Sequence, residues 1–209
     1  MLNPLSNIRS ILIALTMLAV ALHQDVLAQS TTLSDRDGHV YPLKAMPDGN
    51  LWMTTNLRIN IPGSYDFAGS AIKNDRYGRL YTWPAAMEGC RQVGNGWRLP
   101  SFDEWRAMVK HYGGIRGDGQ DSGRAAFKAL IDSGSAGFNI VYSGSYDTTA
   151  RTYHRVDAHG FYWTATESDS ANAWFLNLGR NGQFVNRHPD GEKHWAIAVR
   201  CVKTATKSP

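Results

Sequence analysis

The sequence predicts an α+β fold in which two to three short helices pack on twisted antiparallel sheets. Helix signals lie between residues 83 and 131, whereas everything beyond residue 137 is a series of short segments rich in β-branched and aromatic residues. Helices followed by antiparallel strands are typical of α+β domains. No repeat of fixed period, linker or low-complexity tract interrupts the chain.

Composition supports one exported globular domain. Of 209 residues, 43% are hydrophobic, 11% aromatic and only 19% charged, so the surface must be rich in uncharged polar residues, a balance typical of extracellular proteins. The 22 basic and 18 acidic residues give a net charge of +4 and are scattered along the chain. Nucleic-acid binding needs clustered Lys and Arg, so we predict no nucleic-acid partner.

Residues 1–28 are predicted to be a signal peptide. Arg9 precedes an apolar run from Ile11 to Leu22, and Val26-Leu27-Ala28 places small residues at a cleavage site. The run is shorter than the roughly 18 to 20 residues of a membrane-spanning helix, so we expect export and no membrane span after cleavage. An N-terminal extension (29–34), one domain (35–203) and a C-terminal tail (204–209) would follow.

Two short strands are predicted before the helices. Asp37-Gly38 and Asp48-Gly49 are turn dipeptides, and His39–Leu43 and Leu51–Met53 are compact aromatic and β-branched segments. This pattern predicts a hairpin.

Three helices are predicted next. Pro84 is compatible with the first turn of a helix from Trp83 to Gly89. The second helix begins with Ser101-Phe102-Asp103-Glu104, a capping box, and stops at Gly113-Gly114. A third short helix is predicted from Arg124 to Ile131.

Six strands are predicted in the remaining chain. Trp174, Leu176 and Leu178 share one strand face, and Asn181-Gly182 is typical of a primed hairpin turn with positive φ. The predicted strands are Phe138–Tyr142, Thr152–Val156, Gly160–Ala165, Ala173–Leu178, Gln183–Arg187 and His194–Val202.

The only two cysteines are Cys90 and Cys201. In an oxidising compartment such a pair usually forms a disulfide. A reactive thiol pair or a metal site is the alternative, although few further ligands lie nearby in the sequence.

Six phrases occur in fixed order along the chain. They are Leu51-Trp-Met-Thr-Thr-Asn-Leu57, Tyr77-Gly-Arg-Leu-Tyr-Thr-Trp83, Gly96-Trp-Arg-Leu-Pro-Ser101 with Glu104-Trp105, Gly160-Phe-Tyr-Trp-Thr-Ala-Thr-Glu167, Ala173-Trp174 and Val199-Arg-Cys-Val202. Together they resemble one protein family, the Fibrobacter succinogenes major paralogous domain, over about residues 35–203. The resemblance implies a C-type-lectin-like fold, in which a cysteine at the end of the first helix bridges to the last strand, as Cys90 and Cys201 would.

The resemblance implies a secreted or cell-surface binding module, since the fold serves lectins, adhesins and other ligand-binding proteins. We expect it to recognise an extracellular glycan, polymer or surface protein; a structural or assembly component of the bacterial cell envelope is the alternative. Calcium-binding lectins of this fold use a Glu-Pro-Asn type loop and a Trp-Asn-Asp strand, and neither phrase occurs here. We therefore expect no cofactor, with Ca²⁺ as a minor alternative.

Catalysis has no support in the sequence. It lacks a Gly-x-Ser-x-Gly elbow, a Walker loop and a His-Glu-x-x-His motif. Formylglycine-generating enzymes share the implied fold and use a cysteine pair, but both cysteines here fit a structural bridge. We predict that the protein is not an enzyme.

The candidate binding surface is the polar segment from Glu167 to Lys193 together with Trp195. Asn177 faces away from Trp174, Leu176 and Leu178, and Gln183 is expected to lie across the hairpin from it. The predicted ligand-binding residues are Phe175, Asn177, Arg180, Gln183, Asn186, Arg187, His188 and Trp195, with Phe175 and Trp195 as aromatic anchors.

Three other motifs are interpreted as structural. His154, Asp157 and His159 lie within six residues, but a strand would point His154 and Asp157 to opposite faces, so we predict solvated loop residues and no metal site. Arg116-Gly117-Asp118 is an integrin-type tripeptide that recurs by chance. The segment 118–123 lacks the spaced carboxylates of a calcium loop and is predicted to be a turn.

Overall fold

Short helices and antiparallel strands build the part of the chain described by the computed structural model, residues 32–119 and 121–205. The helices in these ranges are α1 (Ala71–Tyr77), α2 (Trp83–Gln92), α3 (Phe102–Lys110) and α4 (Arg124–Leu130). The strands are β1 (Thr32–Ser34), β2 (Val40–Ala45), β3 (Asn50–Met53), β4 (Ser64–Tyr65), β5 (Leu80–Tyr81), β6 (Ser145–Asp147), β7 (Thr152–His154), β8 (His159–Glu167), β9 (Asn172–Gly179), β10 (Val185–Glu192) and β11 (Val202–Thr204).

The architecture is α+β, as predicted. The signal-peptide prediction for residues 1–28 lies outside the described residues. Within the described ranges, no helix has the length and apolar character needed to cross a membrane.

Two antiparallel sheets organise the domain. The first has the strand order β1-β2-β3-β11 and places Val202 beside Trp52, so the end of the chain is paired with a strand near its beginning. Its edge strand β1 comes from the predicted N-terminal extension and pairs with β2. The second sheet has the order β10-β9-β8, and the two-stranded pairs β4-β5 and β6-β7 lie outside both sheets.

The elements with strong local signals form as predicted. Strands β2 and β3 make the early hairpin, with Leu43 opposite Met53. Helix α2 begins at Trp83 with Pro84 in its first turn, and it continues past the predicted end to Gln92. At the start of α3, Ser101 Oγ accepts from the Glu104 amide while the Glu104 carboxylate accepts from the Ser101 amide.

Helix α1 was not predicted from the sequence. Its N-cap is Ser70, whose side chain accepts from the Lys73 amide, but Tyr77 is its only buried residue. Ile72 is 82% exposed. A helix that buries one side chain has no apolar stripe, which is the signal that sequence periodicity detects.

The strand predicted over Phe138–Tyr142 is wrong. Phe138 and Ile140 are buried, but Asn139 has φ of +57° and the segment makes only an isolated bridge between Ile131 and Ile140. The carbonyls of Phe138 and Asn139 accept from the Arg200 guanidinium instead of from a neighbouring strand. The β-branched and aromatic residues of this segment are therefore explained by burial and not by pairing with a neighbouring strand.

The strand predicted over His194–Val202 is also wrong for most of its length. Of the residues in this prediction, Val202 alone belongs to β11. Residues 196, 197 and 198 make isolated bridges to Tyr146, Tyr81 and Tyr162, respectively. The segment thus connects different parts of the fold instead of adding one strand to a sheet.

The turn between β9 and β10 differs from the predicted primed type. Neither Asn181 nor Gly182 has positive φ; Gln183 does, at +52°. The Gln183 amide donates to the Gly179 carbonyl over 2.9 Å, so the connection is longer than a two-residue hairpin turn.

Buried side chains form two hydrophobic clusters. In the first, Trp52 and Trp105 meet edge to face at 4.9 Å between ring centroids, and Phe138 packs against both. The second contains the disulfide between Cys90, in the last turn of α2, and Cys201, just before β11. This bridge confirms the predicted pairing.

Glu104 connects the start of α3 to Arg98, which leads to a first testable prediction. Burial raises the pKa of Glu104, but hydrogen bonds from Arg98 and from the Ser101 amide outweigh it and hold the pKa below its ordinary value. Glu104→Gln is expected to lower the free energy of unfolding by about 1 kcal/mol at neutral pH.

The pH dependence has a definite sign. Since the pKa of Glu104 is lower in the folded than in the unfolded state, its contribution is complete above the unfolded pKa and is lost as pH falls through the folded one. Urea unfolding of parent and Glu104→Gln should therefore converge between about pH 5 and pH 2. A difference that stays constant over this range would contradict the assignment.

Candidate functional site

An aromatic groove lies on one face of the sheet β10-β9-β8. Side chains alternate along β9: Leu176 and Leu178 are buried in the first core cluster, whereas Phe175 and Asn177 point to the opposite face. The cavity on this face has a volume of about 450 Å³ and is lined by Ser145, His154, Arg155, Phe161, Trp163, Phe175, Asp190, Gly191, Glu192, Trp195 and Ile197.

Strand register sets the aromatic floor of the groove. Phe175 on β9 lies between Trp163 on β8 and His188 on β10. Its ring stacks on the His188 imidazole at 5.0 Å between centroids and meets Phe161 and Trp163 edge to face at 5.9 and 6.2 Å. Trp163 is held in place because its indole N–H donates to the Tyr81 carbonyl over 2.8 Å.

Gly191 lets the backbone of β10 approach this floor closely. A Cβ at this position would lie 2.6 Å from Trp163, 2.7 Å from Phe175 and 2.8 Å from the Ala173 carbonyl. The register shift between His188 and Gly191 brings the glycine opposite Ala173. Only a residue without a side chain fits here unless its neighbours move.

Trp195 and His154 form one wall of the groove. Trp195 is half-buried, and its ring centroid lies 5.4 Å from that of His154 at the end of β7. The β6-β7 hairpin is attached to the Trp195 segment by two backbone hydrogen bonds between Tyr146 and Ala196. The wall is thus fixed by contacts between residues that are 41 and 50 positions apart in sequence.

Amide and imidazole groups continue the same sheet face. Asn177 and Asn186 lie opposite each other in the β9-β10 register. Asn177 Oδ1 is 2.9 Å from His159 Nδ1, and Asn186 Nδ2 is 3.0 Å from His188 Nε2. The face therefore offers flat aromatic surface beside hydrogen-bonding groups of fixed orientation.

Some of the predicted site residues lie in or beside the groove, and the others lie away from it. Phe175 and Trp195 both line the groove, and Asn177, Asn186 and His188 lie on the sheet face beside it. The prediction that Gln183 lies across the hairpin from Asn177 is wrong, because Asn186 occupies that position.

Arg180 and Gln183 lie in the turn between β9 and β10, away from the groove lining. Arg180 places its guanidinium 5.1 Å from the ring centroid of Tyr142. Both side chains belong to the turn and not to the aromatic floor.

Arg187 lies on the opposite face of the sheet from Asn186 and His188. It forms a 2.8 Å ion pair with Asp118, which also pairs with Arg106 on α3. Hydrogen bonds from Arg187 and Arg106 hold the pKa of Asp118 below its ordinary value. Arg187 therefore attaches the 113–123 loop to the sheet, and the Asp118 carboxylate of the integrin-type tripeptide is already engaged.

The groove includes residues that sequence reasoning did not select. These are Ser145, His154, Arg155, Phe161, Trp163 and Ile197. The lining residues Asp190, Gly191 and Glu192 fall inside the predicted segment Glu167 to Lys193 but were not among the predicted ligand-binding residues. Phe161 and Trp163 occupy alternate positions of β8, as Phe175 and Asn177 do on β9, so the period-two pattern of the sequence could have placed them on one strand face. The sequence does not show that β8 pairs with β9, which brings these residues into the groove.

In the part of the chain that the structure describes, no group of acidic and histidine residues on this face has the spacing of metal ligands. His154 is beside Trp195, while Asp157 accepts a hydrogen bond from the Tyr77 hydroxyl. Among the described residues, the one group with ligand spacing is Asp35, Asp37 and His39. Its buried Asp35 carboxylate already accepts from the Asp37 and His39 amides and from the Tyr41 hydroxyl.

The fold and the groove define an α+β domain with one disulfide and an open aromatic site. The family model of the Fibrobacter succinogenes major domain matches residues 48–203, which is well over half of the chain. The protein belongs to this family, which confirms the resemblance predicted from the six phrases. A comparison with curated proteins gave no match, and a comparison with solved structures gave none either.

Proposed function

We propose that this protein is an exported, non-catalytic binding module of C-type-lectin-like fold, acting in adhesion or recognition, and that the aromatic groove holds its extracellular ligand. The observation that carries the proposal is the groove itself: about 450 Å³ of open space with half-buried Phe161, Phe175 and Trp195 in its lining. A concave, mainly apolar pocket with a few oriented polar groups is the usual form of a ligand site.

The connectivity supports the C-type-lectin-like assignment. Helix α2 is joined by Cys90 to Cys201, directly before the last strand, and the antiparallel strands β8 to β10 follow the helices. The family resemblance implies a bridge from the end of the first helix to the last strand. Here the cysteine lies in the second helix, because α1 precedes it, and its partner lies one residue before β11.

A glycan chain is the ligand class that best fits this surface. Sugar rings present apolar faces that stack on aromatic side chains, and hydroxyl groups that pair with amides and imidazoles. The groove supplies the aromatic surfaces through Phe175 and Trp195, and Asn177 and Asn186 supply amide groups on the same sheet face beside it.

Capture on a panel of immobilised oligosaccharides tests the proposal. The parent should bind members of the panel, and Phe175→Ala/Trp195→Ala should lower apparent affinity by about tenfold or more, because central aromatic anchors dominate binding energy. The matched control is Phe102→Ala/Trp174→Ala, which removes a half-buried, stacked pair formed by Phe102 at the start of α3 and Trp174 on β9. The control should bind like the parent.

Two results would contradict the proposal. Equal capture by the parent and the groove variant would place the binding surface elsewhere. Absence of capture across the panel, together with binding to isolated cell-envelope material that both variants retain, would favour a structural component of the envelope.

A further inference from the structure

Arg200 is a fully buried cation that is not part of the aromatic groove lining. Its guanidinium donates to Asn56 Oδ1 over 2.7 Å and to the carbonyls of Phe138 and Asn139 over 2.9 and 2.7 Å. A longer hydrogen bond of 3.3 Å reaches the Met53 carbonyl. These acceptors satisfy much of its hydrogen-bonding capacity but are all electrically neutral.

No carboxylate in the described residues lies within ion-pair distance of Arg200. The rings of Phe138 and Tyr162 face the guanidinium at 5.0 and 5.7 Å. Burial lowers the pKa of Arg200, with Tyr162 opposing that shift. A buried charge without a counter-charge is costly in free energy, even when its hydrogen bonds are made.

A cavity of about 340 Å³ adjoins this cation. Arg58, Arg76, Thr55 and Arg200 are among its lining residues. The Thr55 hydroxyl is buried and has no hydrogen-bond partner in the described chain. A hydroxyl without a partner and a guanidinium without a counter-charge, both lining one cavity, are groups suited to an anionic oxygen.

Two carboxylates also line the cavity, Asp75 and Asp132, and both residues are exposed. Asp75 lies 4.0 Å from Arg58, which offsets its charge at the surface. Three arginines and two aspartates give the lining of the cavity a net positive charge. Of these charged residues, Arg200 is the buried one.

We propose that this cavity is a binding site for a small oxyanion, either a free inorganic ion or the carboxylate of a larger molecule, with an anionic oxygen accepting from Thr55 and compensating the charge of Arg200. The site is separate from the aromatic groove and does not depend on its function.

Isothermal titration of the full secreted protein with sodium phosphate, sulfate and acetate, at constant ionic strength maintained with sodium chloride, tests the proposal. Saturable binding of at least one of the three is expected. Preference for acetate would indicate a carboxylate ligand, and preference for phosphate or sulfate a free tetrahedral ion; both support the site.

Thr55→Val preserves the shape of the side chain and removes the hydroxyl, so it should weaken oxyanion binding about five- to tenfold while leaving the fold intact. Arg76→Gln should also weaken it. Arg124→Gln, which removes the same charge from an exposed position at the start of α4, should have no effect. The proposal is wrong if none of the anions binds saturably, or if Thr55→Val binds with the affinity of the parent.

Discussion

Replacing Cys90 and Cys201 together by alanine is expected to lower the free energy of unfolding by about 4 to 5 kcal/mol. The disulfide spans 111 positions of sequence, and closing a loop of that length restricts the unfolded chain strongly. Both cysteines are fully buried in the second hydrophobic cluster, so the bridge also connects α2 to the segment that carries β11.

Urea unfolding of the oxidised parent and the double variant measures this difference. Parent protein reduced under denaturing conditions and kept in reductant is the control, and it should unfold near the midpoint of the double variant. A loss below about 1 kcal/mol would show that the bridge adds little to stability. Thiol titration of the native parent should give no free thiol.

Gly191→Ala is expected to have the second large effect, because it damages the core and the groove together. The added methyl would overlap Trp163, Phe175 and the Ala173 carbonyl; the two rings can shift, but the carbonyl belongs to the β9 ladder. Overpacking of this kind costs about 1 to 3 kcal/mol. Glycan capture should weaken as well, since Phe175 is displaced.

Gly94→Ala provides the control for this substitution. Gly94 has φ of +81° and open space around its Cβ position, so the variant reports backbone strain alone, about 1 kcal/mol. It should leave capture unchanged. If Gly191→Ala matched the parent in stability and in capture, the close packing of β10 on the aromatic floor would not matter for the site.

Local sequence signals predicted the elements whose stability is local. The Ser101–Glu104 capping box defines the start of α3 because both of its hydrogen bonds are made within three residues. The conformation of the segment that begins at Phe138 could not be predicted from local signals. Its carbonyls bind Arg200, some 60 residues later in the chain, and no local pattern shows that contact.

The lining of the aromatic groove was predicted in part for the same reason. Phe175 and Trp195 stood out as exposed aromatic candidates, and both line the groove. Trp163 reaches it through the pairing of β8 with β9, which only the fold establishes. Arg187 was grouped with its neighbours, although strand alternation places it on the other face, where Asp118 binds it.

The role of the groove is tested most directly by two-dimensional ¹H–¹⁵N spectra of the labelled protein, titrated with the oligosaccharide that the panel captures best. The indole signal of Trp195 should shift progressively, together with backbone amides of β8 to β10 near Phe175. Trp52, which is buried in the first hydrophobic cluster, should keep its indole signal unchanged. Shifts confined to the loop 113–123, with Trp195 unaffected, would contradict the assignment of the groove as the ligand site.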